Sequence, residues 1–282
     1  MSRPRSIARV LLVAVFLTSC SPTRFFYYPN NVLYVDPAHL KLKYEMRWFK
    51  SLNGKKLFAL YFPTDQAPKG IVVHFHGNYG NVSNHFIGSS FLVHQGFDVL
   101  VFDYEGYGGS EGHPKPKRTI EDGVAALRYA KDIDRGPPGS VVVLAQSLGG
   151  AIAIPAMVKE PIAKAAVIQA AFTSYRGIAR DVLKRSAWTW ILYPIAPWFI
   201  GTANDPVRFV GKLPDIPLLF IHGDKDPVIP IRMTKELFDK AKEPKELWIV
   251  PGAGHNDLRQ QAGDAYDERV GDFFTKALTS KG

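Results

Sequence analysis

Residues 140–150 read SVVVLAQSLGG, and this stretch decides the fold. Ser140 to Ala145 is a short, β-branched apolar run of the kind buried on both faces of a covered sheet. Gly149 to Val158 is apolar throughout and reads as a buried helix. Between them the chain turns sharply at Ser147. A hydroxyl displayed on such a turn needs small residues two positions to either side, because the turn presses those positions against neighbouring backbone. Ala145 and Gly149 supply them, although Ala145 carries a methyl group where a glycine is usual. Taken alone, the pattern also fits a serine that caps a helix.

The rest of the chain repeats the strand-then-helix rhythm. Tyr44 to Phe49 and Lys56 to Tyr61 form an expected hairpin around Asn53-Gly54. Buried-strand runs follow at Gly70 to His76, Phe97 to Phe102, Ala165 to Gln169, Leu218 to Ile221 and Leu247 to Val250, with a helix over Thr119 to Lys131. This predicts an α/β domain with a mostly parallel central sheet flanked by helices. The 282 residues, 46% hydrophobic and 22% charged, exclude disorder, collagen and a multi-span membrane protein. No linker divides the chain, so one domain over 44–282 is expected, after a lead-in at 20–43.

Chemistry gathers at strand ends. A serine at its ordinary pKa needs a base, and the base needs a carboxylate to orient it. Asp226 follows the Leu218 run and His255 sits in a glycine-rich loop after the Leu247 run, so Ser147, Asp226 and His255 occur in the order of a nucleophile–acid–base triad. Asp224 is the alternative acid, though closer to its strand and better suited to a turn. For the oxyanion, the Leu148 amide at the positive end of a helix is one donor. The other is expected after the Ile71 strand, from Asn78, with Tyr79 second.

On these residues, with His76-Gly77-Asn78-Tyr79-Gly80-Asn81 and Asp103-Tyr104-Glu105-Gly106-Tyr107-Gly108-Gly109-Ser110, the chain resembles serine hydrolases of the α/β-hydrolase superfamily from about Tyr44 to Phe274. Glu105 stands where relatives often carry Arg, which puts a local ion pair in doubt. The resemblance implies an acyl-enzyme mechanism on carboxylic esters or thioesters, a small or lipid-like acyl substrate, and no cofactor. A peptidase and a catalytically silent binding module are the alternatives.

The N-terminus carries a further signal. Arg3, Arg5 and Arg9 precede the apolar run VLLVAVFL (10–17), which is too short to span a bilayer comfortably, and Leu17-Thr18-Ser19-Cys20 follows. This resembles a bacterial lipoprotein signal over residues 1–19, with Cys20 acylated and anchoring the chain in the envelope membrane. Ser21 by resemblance favours the outer membrane, facing the periplasm. Cys20 is the only cysteine, so no internal disulfide forms. Without the three leader arginines the formal charge falls from +9 to +6, and no nucleic-acid motif accompanies it.

Between Ser147 and Asp226, residues 173–212 are expected to form a short helical, aromatic-rich cap. Its Trp188, Trp190 and Trp198 could line an acyl pocket with Tyr79, pack the cap onto the body, or meet a membrane. His74, His76, His85 and His94 lack an acidic partner at metal-ligand spacing, and no metal site is expected. Lys115-Pro116-Lys117-Arg118 reads as a solvated basic turn, with contact to anionic lipid headgroups as the alternative.

Overall fold

The computed structural model describes residues 26–185 and 196–280. Cys20, Trp188 and Trp190 lie outside the described residues. The strands are β1 (Tyr28–Pro29), β2 (Glu45–Lys50), β3 (Lys56–Phe62), β4 (Ile71–Phe75), β5 (Tyr79–Gly80), β6 (Asp98–Phe102), β7 (Val141–Gln146), β8 (Ala166–Gln169), β9 (Leu218–Gly223) and β10 (Lys245–Val250). Eight of them form one sheet in the order β10-β9-β8-β7-β4-β6-β3-β2, parallel except where β3 meets β6 and β2. The expected strands are all present.

Alternation along the central strands divides the core into two layers. Ile71, Val73 and Phe75 of β4 and Val141 and Val143 of β7 face one side. There they meet Ile120, Val124 and Leu127 of a helix over Pro116–Ile133 and the apolar helix over Leu148–Lys159. Val72, Val142 and Leu144 face the other side, where Tyr266, Val270 and Phe274 of the helix Asp264–Thr279 cover them. Such double burial is why these strands read as continuous apolar runs. None of the described helices is long and apolar enough to cross a membrane.

Two local readings change. Lys115–Arg118 is not a turn: Pro116 occupies the first turn of the Pro116–Ile133 helix, where its fixed φ and missing N–H cost nothing. The lead-in, for which the sequence offered no element, is packed on the body from residue 26 onward. Phe26 and Tyr27 are buried in the first core layer. The Tyr27 hydroxyl bonds the hydroxyls of Thr119 (3.2 Å) and Tyr175 (3.1 Å), and β1 pairs in parallel with β5. Aromatic side chains at 25–28 signalled this, but with no helical or strand period they gave no element to assign.

Removing that anchor should cost a cavity and a hydroxyl network. Tyr27→Ala is expected to destabilise the fold by about 3 kcal/mol, measured by urea unfolding. A loss below about 0.5 kcal/mol would show that the segment is not part of the core.

Candidate active site

Strand order reverses around β4, with β6 on one side and β7 on the other, and the crevice at such a switch point is where α/β sheets place their sites. Ser147 follows β7 directly, at φ 54° and ψ −116°. For a residue with a Cβ this is a strained conformation, costing on the order of 1–3 kcal/mol. The surroundings enforce it. The Ser147 N–H donates to the Gln169 carbonyl at 2.8 Å, and a Cβ on Gly149 would stand 2.0 Å from the Phe75 carbonyl. Only glycine lets the following helix pass so close to β4. Ala145 is fully buried and accommodated.

The acid and base arrive from the ends of β9 and β10, beyond the intervening β8. Ser147 Oγ lies 2.9 Å from His255 Nε2, and His255 Nδ1 lies 2.7 Å from Asp226 Oδ2. The other carboxylate oxygen of Asp226 accepts from the Val228 and Ile229 N–H groups at 2.7 and 2.9 Å. Burial pushes this carboxyl up, but hydrogen bonds from His222 and His255, the His255 charge and the Ile229 N–H outweigh it, holding Asp226 well below the usual carboxylate range. Asp224 instead accepts from the Gly252 N–H at 2.7 Å and braces the turn after β10. That turn crosses the end of β9 so closely that a Cβ on Gly223 would stand 2.2 Å from the Ala253 carbonyl.

The loop after β4 is clamped from two sides. Tyr107 Oη donates to the Asn78 carbonyl at 2.9 Å, and Tyr104 Oη to the His76 carbonyl at 3.0 Å. From the lead-in, the Tyr28 N–H donates to Asn78 Oδ1 at 3.0 Å. Asp103, fully buried, accepts from the Val82 and Gly109 N–H groups at 2.9 and 3.2 Å, and burial still pushes its carboxyl up to about 7. Among the described residues, the Asn78 and Leu148 N–H groups have no protein acceptor. Both residues line the same cavity as Ser147.

That cavity has a volume of about 1250 Å³. Phe26, Phe172, Ile178 and Ile200, which belong to one core cluster, give it an apolar lining, and Gln146, Asn256 and Arg259 contribute polar groups. Tyr79 lines it and is exposed, whereas Trp198 is exposed without lining it. His74 and His76 are buried, the former bonded to Ser89 at 2.9 Å, and burial pushes His74 down to about 3.

The family described as "Serine aminopeptidase, S33" matches residues 66–215, and one described as "TAP-like protein" matches 185–281. The uncharacterized protein YfhR of Escherichia coli strain K12 is 30% identical over 95% of this chain and 93% of its own length. The chain belongs to the α/β-hydrolase superfamily. An esterase from Pyrococcus furiosus has the same fold, with a TM-score of 0.74 at 20% identity over 89% of this chain and 98% of the esterase. So does acetyl xylan esterase 1 from Thermoanaerobacterium, with a TM-score of 0.65 at 17% identity over 90% and 96%.

Within this α/β-hydrolase, Glu105 keeps an ion pair: fully buried, it lies 3.2 Å from Arg118 Nη1 and also receives Asn53 Nδ2. Two contributors went unassigned in the sequence. His222 stands in the Leu218 strand, where a lone histidine reads as core; its Nε2–H is shared between the Ile229 carbonyl (3.0 Å) and Asp226 Oδ2 (3.3 Å). Tyr107 belongs to the quoted glycine-rich segment, but nothing in the spacing says that its hydroxyl reaches Asn78.

A carboxyl whose folded pKa is depressed stabilises the fold above its unfolded value near 4, and that contribution fades as pH falls through the folded value. Asp226→Asn should therefore cost most stability near neutral pH, with the gap to the parent narrowing as pH falls from about 5 to about 2. Urea titrations at several pH values measure this. A pH-independent gap would mean that the carboxylate is not held as its contacts imply.

Proposed function

We propose that the chain is a serine hydrolase that cleaves carboxylic esters or thioesters through an acyl-enzyme, tethered to a bacterial envelope membrane by acylated Cys20. The unbroken relay from Ser147 Oγ through His255 to Asp226, opening into a largely apolar cavity, carries the enzymatic part of this reading. Ser147 Oγ attacks the acyl carbon while His255 Nε2 takes its proton. Asp226 keeps the Nδ1–H tautomer aimed and supports the imidazolium. The Asn78 and Leu148 N–H groups receive the oxyanion, each such donor being worth roughly 3 kcal/mol in the transition state. His255 then protonates the leaving oxygen or sulfur, and water, activated by the same imidazole, attacks the acyl-enzyme. Apart from the water consumed, each step is carried by side chains and amides of this chain.

The apolar lining suits an acyl chain, and esterase folds among similar structures support the same class. The peptidase named by the matching family makes peptides the one competing substrate class, which the same assay panel of esters, thioesters and peptides decides. A silent binding module would have no use for a strained serine joined to a charged relay.

Ser147→Ala and His255→Ala should each lower kcat by roughly 10⁴-fold or more, with the double variant little worse, because nucleophile and base act in one step. Asp226→Asn should be severely impaired and Asp224→Asn mildly. Near-wild-type turnover in either alanine variant removes the triad, and the reverse order of the two aspartates moves the acid to Asp224.

The tether has its own test. Metabolic fatty-acid labelling should mark the parent chain and not Cys20→Ala, which should remain an unprocessed or mislocalised precursor. A fully soluble, unlabelled parent would end the lipoprotein reading.

A further inference from the structure

Exposed apolar side chains converge on the mouth of the cavity. Tyr28, Tyr79, Val182 and Val228 all line it, and all are exposed. Beside them the turn Ala196–Phe199 packs on the helix Tyr175–Arg185 and presents Trp198, 67% exposed, and Phe199, 72% exposed. The next residue, Ile200, lines the cavity wall. Single apolar residues on a surface need no explanation, but several gathered at one opening mark a contact surface.

The charges nearby say what kind. The helix Tyr175–Arg185 carries Arg176, Arg180 and Arg185, the last donating to the Pro227 and Val228 carbonyls, and its carboxylate, Asp181, is engaged by Arg232 at 2.5 Å. A symmetric dimer across this face would bring two basic helices together. Anionic headgroups would neutralise them instead. The side chains also match an interfacial belt, in which aromatic rings and arginine stems sit at headgroup level. Arg176 lies 5.6 Å from the Trp198 ring centroid and donates to the Ile200 carbonyl at 3.0 Å, so charge and ring occupy one patch.

We propose that the cavity mouth docks directly on an anionic lipid bilayer, with Trp198 and Phe199 entering the interface and the basic helix lying over the headgroups. The docking needs no lipid on Cys20. It also deepens the tether reading, because Cys20 is six residues before cavity-lining Phe26, and that length of chain spans at most about 20 Å. An acylated Cys20 would therefore keep Phe26, and with it the cavity, within about 20 Å of the bilayer surface. An acyl substrate would pass from the membrane into the apolar lining without crossing water.

The test uses the full chain with Cys20→Ser, so that a single added thiol is unique. A nitrobenzoxadiazole probe is attached at Phe199→Cys or, as the control, at Lys164→Cys, an exposed position just before β8 at the opposite end of the sheet. Vesicles of phosphatidylethanolamine and phosphatidylglycerol should brighten and blue-shift the probe at 199 and leave the one at 164 unchanged. Arg180→Glu should weaken vesicle binding about tenfold, and pure phosphatidylcholine should bind weakly. No change at 199, or equal changes at both positions as a leader-driven association would give, overturns the proposal. So does a shift at 199 that follows protein concentration without lipid, which would make a second copy the occupant. Fluorophosphonate labelling of Ser147 in the same samples reads the hydrolase assignment separately, since docking requires no turnover.

Discussion

The backbone at Ser147 is the constraint on which the site depends. A left-handed φ at a non-glycine residue is held only where the surroundings determine it. Here β7 ends beside β4 and β8, the Gln169 carbonyl fixes the Ser147 amide, and the Gly149 backbone rides against the Phe75 carbonyl. Sheet packing therefore stores the strain, and the reward is geometric. The hydroxyl stands clear of the helix it begins, within reach of a histidine that follows β10, three strands further along the sheet. Every other part of the site is registered to that point by strand order: Asn78 from the neighbouring β4, Asp226 from β9 and His255 from β10.

The supporting contacts work by the same logic of fixing direction before chemistry begins. Asp226 receives N–H donors from Val228, Ile229, His222 and His255, which leaves it little freedom to rotate and a strong preference for the charged form. The loop bearing Asn78 is held from below by Tyr104 and Tyr107 and from outside by Tyr28. The last of these is unexpected in a segment that looks like spacer. It makes the first described residues part of the cavity wall and of the clamp on a proposed oxyanion donor, and it joins the N-terminal end of the fold to the opening of the cavity.

Much of this was legible in the sequence, for identifiable reasons. The parallel strands are buried on both faces, so each appears as an unbroken apolar run, with Ser147 directly after one and Asp226 and His255 in the loops that follow two others. Their distances were not legible, but their order was. The elements that escaped lack a periodic signal. Phe26 and Tyr27 lead into a two-residue strand, Tyr28–Pro29, whose partner, Tyr79–Gly80, is 51 residues away. His222 is a polar residue inside a strand, and only its neighbour across the turn gives it a task. Lys115 to Arg118 looked like a turn because proline and charge are turn signals, yet the same proline opens a helix whose Arg118 reaches the buried Glu105.

The central claim is a covalent acyl group on Ser147, and rapid-quench mass spectrometry during turnover of an activated ester observes it directly. The expected result is an acyl mass increment on the peptide containing Ser147, formed in a burst before steady state and absent in Ser147→Ala. Turnover at the parent rate in Ser147→Ala, or hydrolysis with no acylated peptide under conditions where deacylation limits the rate, would contradict it.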